Sequence, residues 1–437
     1  MTSSTDKELA VLVNDQVLGT VSQGRSGRLS FEYDEGWRGN VDAFPLSLSM
    51  PLALKTHPHD VIHAYLNGLL PDNEDVKRGI ARHFGLASAT PFRLVGAIGE
   101  DLAGAVQIVP PSRIDALKKR QGVVPISEAV LGAYLDALRR TPGMGPISED
   151  AGRFSLAGAQ AKKAVYWVNG KWFEPRGRTP STHIIKPPIP WLDGQVENEH
   201  FCLSLASELD LPAAHSDVVE IAGTPNIVVQ RYDRQRRKGS RLLELTEDGG
   251  TVVRIHQEDL CQAHGVDPKD KHQADGGPGM KKIMALLAGS GSPAVDRGRF
   301  MRACLLNFLI LGTDAHAKNF SLLIEAGRYR LAPLYDVISL LPYENEVLNS
   351  HVLAMSVGSQ NKWRMIRLSH WRKAAEETGY PGDEVVGALT DMLERMPDVA
   401  LSLRQRCQEK GLRTPVLTRL ADAIAKRCAE VRKGYGL

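Results

Sequence analysis

Cysteine is scarce in this chain: five in 437 residues, Cys202, Cys261, Cys304, Cys407 and Cys428. They are scattered and form no Cys-x-x-Cys pair. That argues against structural zinc and a disulfide framework, and leaves reduced thiols in a cytoplasmic protein as the expectation. Long apolar runs are missing as well. The most apolar stretch, residues 303–312, contains Asn307 and is about half the length that a membrane-spanning helix needs. The opening Met-Thr-Ser-Ser-Thr-Asp-Lys is polar and lacks the apolar run of a signal peptide. Neither sign of charge dominates: the formal net charge is +3, which selects no class of partner. There is no Gly-x-x-x-x-Gly-Lys-Ser/Thr loop and no Gly-x-Ser-x-Gly elbow, so Walker-type NTPases and serine hydrolases have no support. Gly289-Ser-Gly291-Ser-Pro-Ala294 matches a dinucleotide fingerprint by letter only. It follows a helical pattern and contains Pro293, so the Rossmann reading fails on context. His57, His59 and His63 have metal-like spacing, but only Asp60 joins them, and they read as loop histidines.

What is present is an ordinary globular composition, 43% apolar and 24% charged, in a length that suggests two or three domains. Residues 8–33 alternate apolar and polar side chains around turn signals and predict a β-meander. Residues 61–86 are helical in character, broken at Leu70-Pro-Asp-Asn73. Residues 92–109 read as a return to short strands between Gly96, Gly99 and Gly104. Residues 1–115 are thus expected to form an N-terminal α+β subdomain. Residues 116–149 hold an amphipathic helix at 126–140 and a linker at Thr141-Pro-Gly-Met-Gly-Pro146. The next segment, 150–235, is strand-rich. It has strands at 163–168 and 171–173 around an Asn169-Gly170 hairpin turn, a strand at 182–186 closed by Pro187-Pro188, a helix at 196–209, and strands at 218–221 and 226–229. Residues 236–437 are mostly helical, interrupted by a hairpin from 320–324 to 329–331. No internal repeat or low-complexity segment occurs.

The most informative stretch is Leu311-Gly-Thr-Asp314-Ala-His316-Ala-Lys318-Asn319-Phe320, followed seventeen residues after Asn319 by Tyr335-Asp336. Two acids and an amide in apolar surroundings are what phosphoryl transfer needs. Asp314 would orient the attacking hydroxyl, Asn319 would hold Mg²⁺, and Asp336 would bridge metal and phosphates. Upstream, Lys186 closes an apolar strand where a kinase small lobe places the lysine for the ATP phosphates. Glu197 and Glu199 open the following helix and point in different directions, so at most one pairs with it. In Ser155-Leu-Ala157-Gly158-Ala159-Gln160-Ala-Lys162, small residues let backbone N–H groups approach phosphate oxygens, and Lys162 adds charge. Gln230-Arg-Tyr232-Asp233-Arg234 leaves an apolar strand. Its backbone would meet an adenine edge, Tyr232 would cover the face, and Asp233 would take a ribose hydroxyl. From residue 400 onward nine Lys/Arg face three Asp/Glu, which reads either as a basic helix pair for nucleic acid or an acidic partner, or as a solvated face.

In this order, these motifs resemble the HipA-like serine/threonine kinases, toxins of bacterial type II toxin–antitoxin modules. The resemblance runs through Ser155-Leu-Ala-Gly-Ala-Gln160, Thr182-His-Ile-Ile-Lys186, Arg231-Tyr-Asp233-Arg234, Gln257-Glu-Asp259, Asp275-Gly-Gly-Pro-Gly279, Thr313–Ser321 and Tyr335-Asp336, over nearly the whole chain. It implies an α+β, two-lobed protein-kinase-like fold, with a β-rich small lobe, a helical large lobe and the extra N-terminal subdomain. It implies Asp314 as the catalytic aspartate and Asn319 and Asp336 as Mg²⁺ ligands. Lys186, Ala157, Gly158, Ala159, Gln160, Gln230, Tyr232, Asp233, His316 and Lys318 would surround ATP, and Ser155 would be an autophosphorylated serine. A phosphate there adds nearly two negative charges beside the ATP phosphates and would favour an ejected, inactive loop.

The partners implied are a small helix-turn-helix antitoxin (HipB-like), operator DNA through that complex, and an aminoacyl-tRNA synthetase as substrate, glutamyl-tRNA synthetase being the best-known target. Ala315 stands where a Gly is common and Ala161 where a Glu is common, and neither change removes a ligand. Two other readings share the residues: a small-molecule kinase of aminoglycoside or lipid type, and a non-enzymatic co-repressor using the basic C-terminal helices.

Overall fold

Alternation writes the first sheet. In a computed structural model that describes residues 7–119, 122–140, 158, 160–238, 250–343 and 352–437, the strands β1 (Glu8–Val13), β2 (Gln16–Gln23), β3 (Leu29–Tyr33), β4 (Thr56–His57) and β5 (Val106–Val109) pair in the order β4-β3-β2-β1-β5. All these pairings are antiparallel. Asn14 takes a left-handed φ of 53°, as a two-residue hairpin turn requires. In β3 alternate residues Leu29, Phe31 and Tyr33 are buried. Phe31 and Tyr33 meet edge to face at 4.7 Å over Tyr65, Leu66, Leu94 and Val95 of the covering helices His59–Gly68 and Pro91–Ile98.

The second of those helices corrects the expectation of strands from 92 onward. Only Val106–Val109 is a strand. Eight residues make barely two turns, too few for the period to decide between helix and strand, and Pro91 sits in the first helical turn, where its missing N–H costs nothing. Gly96 does not break this helix. It admits Leu9, whose Cδ2 would lie 2.9 Å from a Cβ at that position.

A second antiparallel sheet follows the order β10-β11-β9-β7-β8-β6, with β6 Val123–Pro125, β7 Lys163–Val168, β8 Lys171–Pro175, β9 His183–Lys186, β10 Ser216–Ile221 and β11 Thr224–Gln230. The Asn169-Gly170 turn is present, with φ of 50° and 75°. The helix Glu128–Arg140 lays Leu131, Leu135 and Leu138 on Val165, Ile185 and Val228, the i, i+4, i+7 stripe of an amphipathic helix. The Thr141–Pro146 linker lies outside the described residues.

The chain divides into two compact units. One comprises Met1–Pro187, Val219–Lys269 and Leu323–Arg328; the other comprises Pro188–Val218, Asp270–Leu322 and Tyr329–Leu437. Residues 236–269 therefore belong with the first unit, and the boundary expected at 235/236 does not coincide with a division between units. The second unit is a helical assembly of Gln195–Glu208, Met280–Leu287, Pro293–Leu309, Leu368–Thr378, Gly382–Glu409 and Pro415–Tyr435. Trp371 and Phe308 are fully buried in it and meet edge to face at 5.6 Å.

A buried ionic cluster organises the first unit. Asp101 accepts from the Ser181 amide at 3.0 Å and its hydroxyl at 2.6 Å, and from Arg234 at 2.9 Å and Arg254 at 3.1 Å, while Arg231 pairs with it at 3.3 Å. Burial by itself would raise the Asp101 pKa, but the guanidiniums of Arg234, Arg231 and Arg254 outweigh it and hold the carboxyl well below its usual range. Glu258, in the same unit, goes the other way. Burial pushes it up to about 8 against the Leu48 amide and Ser47 hydroxyl, which both favour the charged form.

Two opposite pH responses follow. Asp101 stabilises the fold above the unfolded carboxyl pKa of about 3.9, and that contribution is lost as pH falls below it. Asp101→Asn should cost about 3–5 kcal/mol at neutral pH and flatten the acid limb of the stability curve in urea unfolding. Glu258 favours folding at low pH, and its contribution declines as pH rises toward its raised value. Glu258→Gln should therefore stabilise by about 3 kcal/mol at pH 7 and by almost nothing at pH 4; equal effects at both would refute a neutral Glu258.

Candidate active site

The helix Pro293–Leu309 ends inside an apolar core, and the next four residues bring the chain out sharply. Leu311 is fully buried with a left-handed φ of 54°, a strained conformation for a bulky side chain. Gly312 donates its N–H to the Asn307 carbonyl at 2.7 Å. A Cβ on Gly312 would sit 2.3 Å from Asn307 Oδ1, so any larger residue requires Asn307 to give way. The turn delivers Asp314 with its side chain 68% exposed. The Asp314 carbonyl accepts from the His316 amide and from the Asn319 side-chain amide, both at 2.8 Å. Asn319 Nδ2 is thereby committed, and its Oδ1 remains as an oxygen ligand.

Asp336 arrives on a second strained turn, at φ 56°. Its neighbour Tyr335 donates to the Lys318 carbonyl at 2.7 Å, and its hydroxyl lies 2.7 Å from Ser321 Oγ. Three residues on, Ser339 donates from Oγ to the Ile310 carbonyl at 2.5 Å, and the Leu340 amide donates to Leu311 at 3.2 Å. The two turns are thus tied to each other. Asn198, on the helix Gln195–Glu208 and fully buried, clamps Ser339 twice: it donates to the carbonyl at 2.8 Å and accepts from the amide at 3.0 Å. Asp314, Asn319 and Asp336 line one cleft with Asn307, Gly312 and Tyr335. Two carboxylates and an amide oxygen are hard donors of the kind Mg²⁺ takes.

His316 is buried with Nε2 3.7 Å from Asp314 Oδ1, and Lys318 is buried beside it. Of the two glutamates, Glu199 is buried and accepts from Gln195 at 3.3 Å, whereas Glu197 is half-buried and burial raises its pKa.

The other expected residues belong to the first unit. Lys186 is buried at the end of β9, opposite Ile227 of β11. Gln160 donates to the Pro187 carbonyl at 3.1 Å. Gly158, at φ 105°, bridges to Pro71 and lies where a Cβ would meet Lys162 Nζ at 2.7 Å. Gln230 is exposed at the end of β11, and the half-buried Tyr232 donates to the Gln257 side chain. Ser155, Ala157 and Ala159 lie outside the described residues.

Asp233 corrects the sequence reading. It is 2% exposed; Oδ1 accepts from Arg231 at 3.0 Å, and Oδ2 accepts from Arg231 and the Gly104 amide, both at 2.8 Å. With both oxygens committed inside the ionic cluster, this carboxylate braces the strand exit and is not presented to a ribose.

Asn198 went unread as a site residue, although its sequence signal exists. Gln195, Asn198 and Cys202 recur on the buried stripe of their helix, and a polar residue on such a stripe must have a partner. The basic C-terminal helices are only partly paired, with Lys410, Arg413, Lys426 and Lys433 exposed to solvent. Arg404, Arg406, Arg419 and Arg432 pair with Asp422, Glu208, Asp193 and Glu394, and Arg427 is buried over Phe308 and Trp363.

Fold and cleft together define a two-lobed, protein-kinase-like protein with an additional N-terminal α+β subdomain. Residues 154–400 match the HipA-like C-terminal domain and residues 9–109 the HipA N-terminal domain. The chain belongs to the HipA family. It is 32% identical over 433 residues to the putative kinase Y4mE of Sinorhizobium fredii, covering 98% of this chain and 99% of that one. It is 27% identical to the serine/threonine-protein kinase toxin HipA of Shewanella oneidensis, over 91% of this chain and 89% of that one. Among solved structures, the toxin in the Shewanella oneidensis HipA, HipB and operator DNA complex superposes with a TM-score of 0.82 at 24% identity, over 98% of both chains. Among the described residues no helix is long and apolar enough to cross a membrane.

The Gly312 contact gives a direct check. Gly312→Ala should lower stability by about 1–3 kcal/mol through overpacking against Asn307, seen as a reduced melting temperature. Pairing it with Asn307→Ala should recover much of the loss; no recovery would mean that the Asn307 contact is not what excludes a side chain.

Proposed function

We propose that this protein is an ATP- and Mg²⁺-dependent serine/threonine protein kinase and the toxin of a toxin–antitoxin module. The observation that carries the reading is the single cleft lined by Asp314, Asn319 and Asp336, whose oxygen donors suit Mg²⁺. Asn319 and Asp336 would hold the metal, and Lys186 with the Ala157–Gln160 loop would meet the phosphates. The backbone of Gln230 to Tyr232 would take the adenine edge. Bound Mg-ATP supplies the phosphoryl group and the charge that draws it from its leaving oxygen. Asp314, exposed and held at its backbone by His316 and Asn319, accepts a hydrogen bond from the incoming hydroxyl and fixes its line of approach. His316 and Lys318 would surround the nucleotide beside it. The contribution of the chain is positioning and charge complementarity on a turn that is already rigid.

The names of the relatives support the biological role: one is a serine/threonine kinase toxin, and the superposed structure is of a toxin with its antitoxin and operator DNA. On that basis a HipB-like helix-turn-helix antitoxin and operator DNA are the proposed partners, the DNA being held through the antitoxin. The proposed substrate is an aminoacyl-tRNA synthetase, by family resemblance glutamyl-tRNA synthetase, with phosphorylation of Ser155 as the inactivating self-modification.

Labelling with radioactive ATP tests the core of this. Asp314→Asn and Asp336→Asn should each reduce incorporation at least about a hundredfold, with melting temperatures near wild type. Label equal to wild type in both would end the kinase reading. Mass spectrometry after incubation with Mg-ATP should find a phosphate on Ser155. An unmodified Ser155 in a protein that still consumes ATP would favour a small-molecule kinase.

A further inference from the structure

The donor set around Asp314 holds more than the hydroxyl-orienting cleft uses. One ligand atom each from His272, Asp314 and His316 lie within 4.8 Å of one another. The backbone builds this grouping. Thr313 accepts from the Ala354 amide at 3.1 Å, and the Ala354 carbonyl accepts from the Gln273 amide at 3.3 Å, so residue 272 is laddered to the turn that carries Asp314. Below it, the Asp275 and Gly277 amides both donate to the His272 carbonyl, at 3.0 and 2.9 Å. A Cβ on Gly277 would strike the carbonyls of residues 270–272 at 2.4–2.8 Å, which is why the turn closes so tightly under this histidine. The two imidazoles meet edge to face at 4.9 Å.

We propose that His272, His316 and the Asp314 carboxylate form an inhibitory site for Zn²⁺. Two imidazole nitrogens and one carboxylate oxygen suit Zn²⁺ and are poor ligands for Mg²⁺, which demands oxygen donors in octahedral geometry. Tetrahedral bonds of about 2.0–2.1 Å bring ligand atoms to about 3.3 Å from one another. Closing the present grouping therefore draws its ligand atoms together by up to about 1.5 Å. The exposed side of Asp314 leaves a fourth position for water. Zinc bound there takes the carboxylate that would orient the hydroxyl, so it silences transfer while Asn319 and Asp336 keep their own oxygens for Mg²⁺. The inhibitory effect rests on the kinase reading; the metal site itself does not.

The test is titration of the full chain with Zn²⁺ against a chromophoric chelator, alongside phosphotransfer at fixed Mg-ATP. Wild type should bind one zinc whose affinity falls at least tenfold in His272→Ala and in Asp314→Asn. Zinc that stops wild-type transfer should leave His272→Ala active. Unchanged affinity in His272→Ala overturns the site, as does zinc lost only in His63→Ala, whose histidine pairs with Asp267 at 3.3 Å. If zinc binds as described while no protein transfers phosphate, the site stands and the kinase reading falls.

Discussion

Three guanidiniums and two carboxylates buried together are the constraint on which the first unit depends. Taking such charges out of water costs several kcal/mol each, and only dense pairing offsets it. Here most of the density is achieved: Asp101 and Asp233 receive Arg231, Arg234 and Arg254, and further guanidinium N–H groups donate to the carbonyls of Leu102, Gly104 and Arg178, while Nε of Arg234 and of Arg254 is buried without a hydrogen-bond partner among the described residues. Three cations against two anions leave one positive charge, which those carbonyl dipoles soften. The participants come from residue 101, from 181, from 231–234 and from 254. The cluster therefore exists only when the N-terminal subdomain, the start of β9 and the exit of β11 are all in place. A partly formed cluster strands a buried charge, so each of these segments is stabilised by the others.

In the second unit the comparable constraint is geometric. Leu311 and Asp336 both sit in left-handed conformations that non-glycine residues avoid, and each costs of order 1 kcal/mol or more. What holds them is a short ladder of hydrogen bonds donated by Gly312, Ser339 and Leu340 to the carbonyls of Asn307, Ile310 and Leu311, with Asn198 clamping Ser339 from a separate helix. Strain here has a consequence for the site. It points Asp314 and Asp336 into one cleft from two chain segments twenty-two residues apart, which no unstrained strand or helix end would do.

Much of this was legible in the sequence, for reasons that differ from element to element. The Asn169-Gly170 hairpin, the alternation of β3 and the leucine stripe of Glu128–Arg140 are local patterns, and local patterns survive reading in one dimension. The grouping of Asp314, Asn319 and Asp336 was expected because few side chains suit phosphoryl transfer, and the three do line one cleft. The helix Pro91–Ile98 was not, because eight residues make barely two turns, too few for the period to decide, and its glycine looked like a break when it was an approach to Leu9. Asp233 was misread for a related reason. An acid after a strand exit looks available until the arginines on either side, and Gly104 more than a hundred residues away, are seen to use both of its oxygens. His272 was invisible, since only a backbone ladder through Ala354 brings it beside the Asp314 turn.

The burial of Asp233 changes what the strand exit can do for a nucleotide. With its carboxylate spent on Arg231, Arg234 and the Gly104 amide, the segment 230–234 cannot adjust to a ligand by swinging that side chain; its side-chain adaptability is reduced to Gln230 and Tyr232. Tyr232 is itself held by Gln257, whose amide also reaches Asp233 at 3.3 Å. The main chain there is held in a fixed register too: the Arg231 amide donates to the Thr182 carbonyl at 3.0 Å, and the Arg231 carbonyl accepts from the Arg234 amide at 3.2 Å. A fixed backbone edge costs no ordering entropy on binding and discriminates by shape and hydrogen-bond pattern. Asp233 is thus a brace of the first unit, and a ribose hydroxyl would have to be met by other groups.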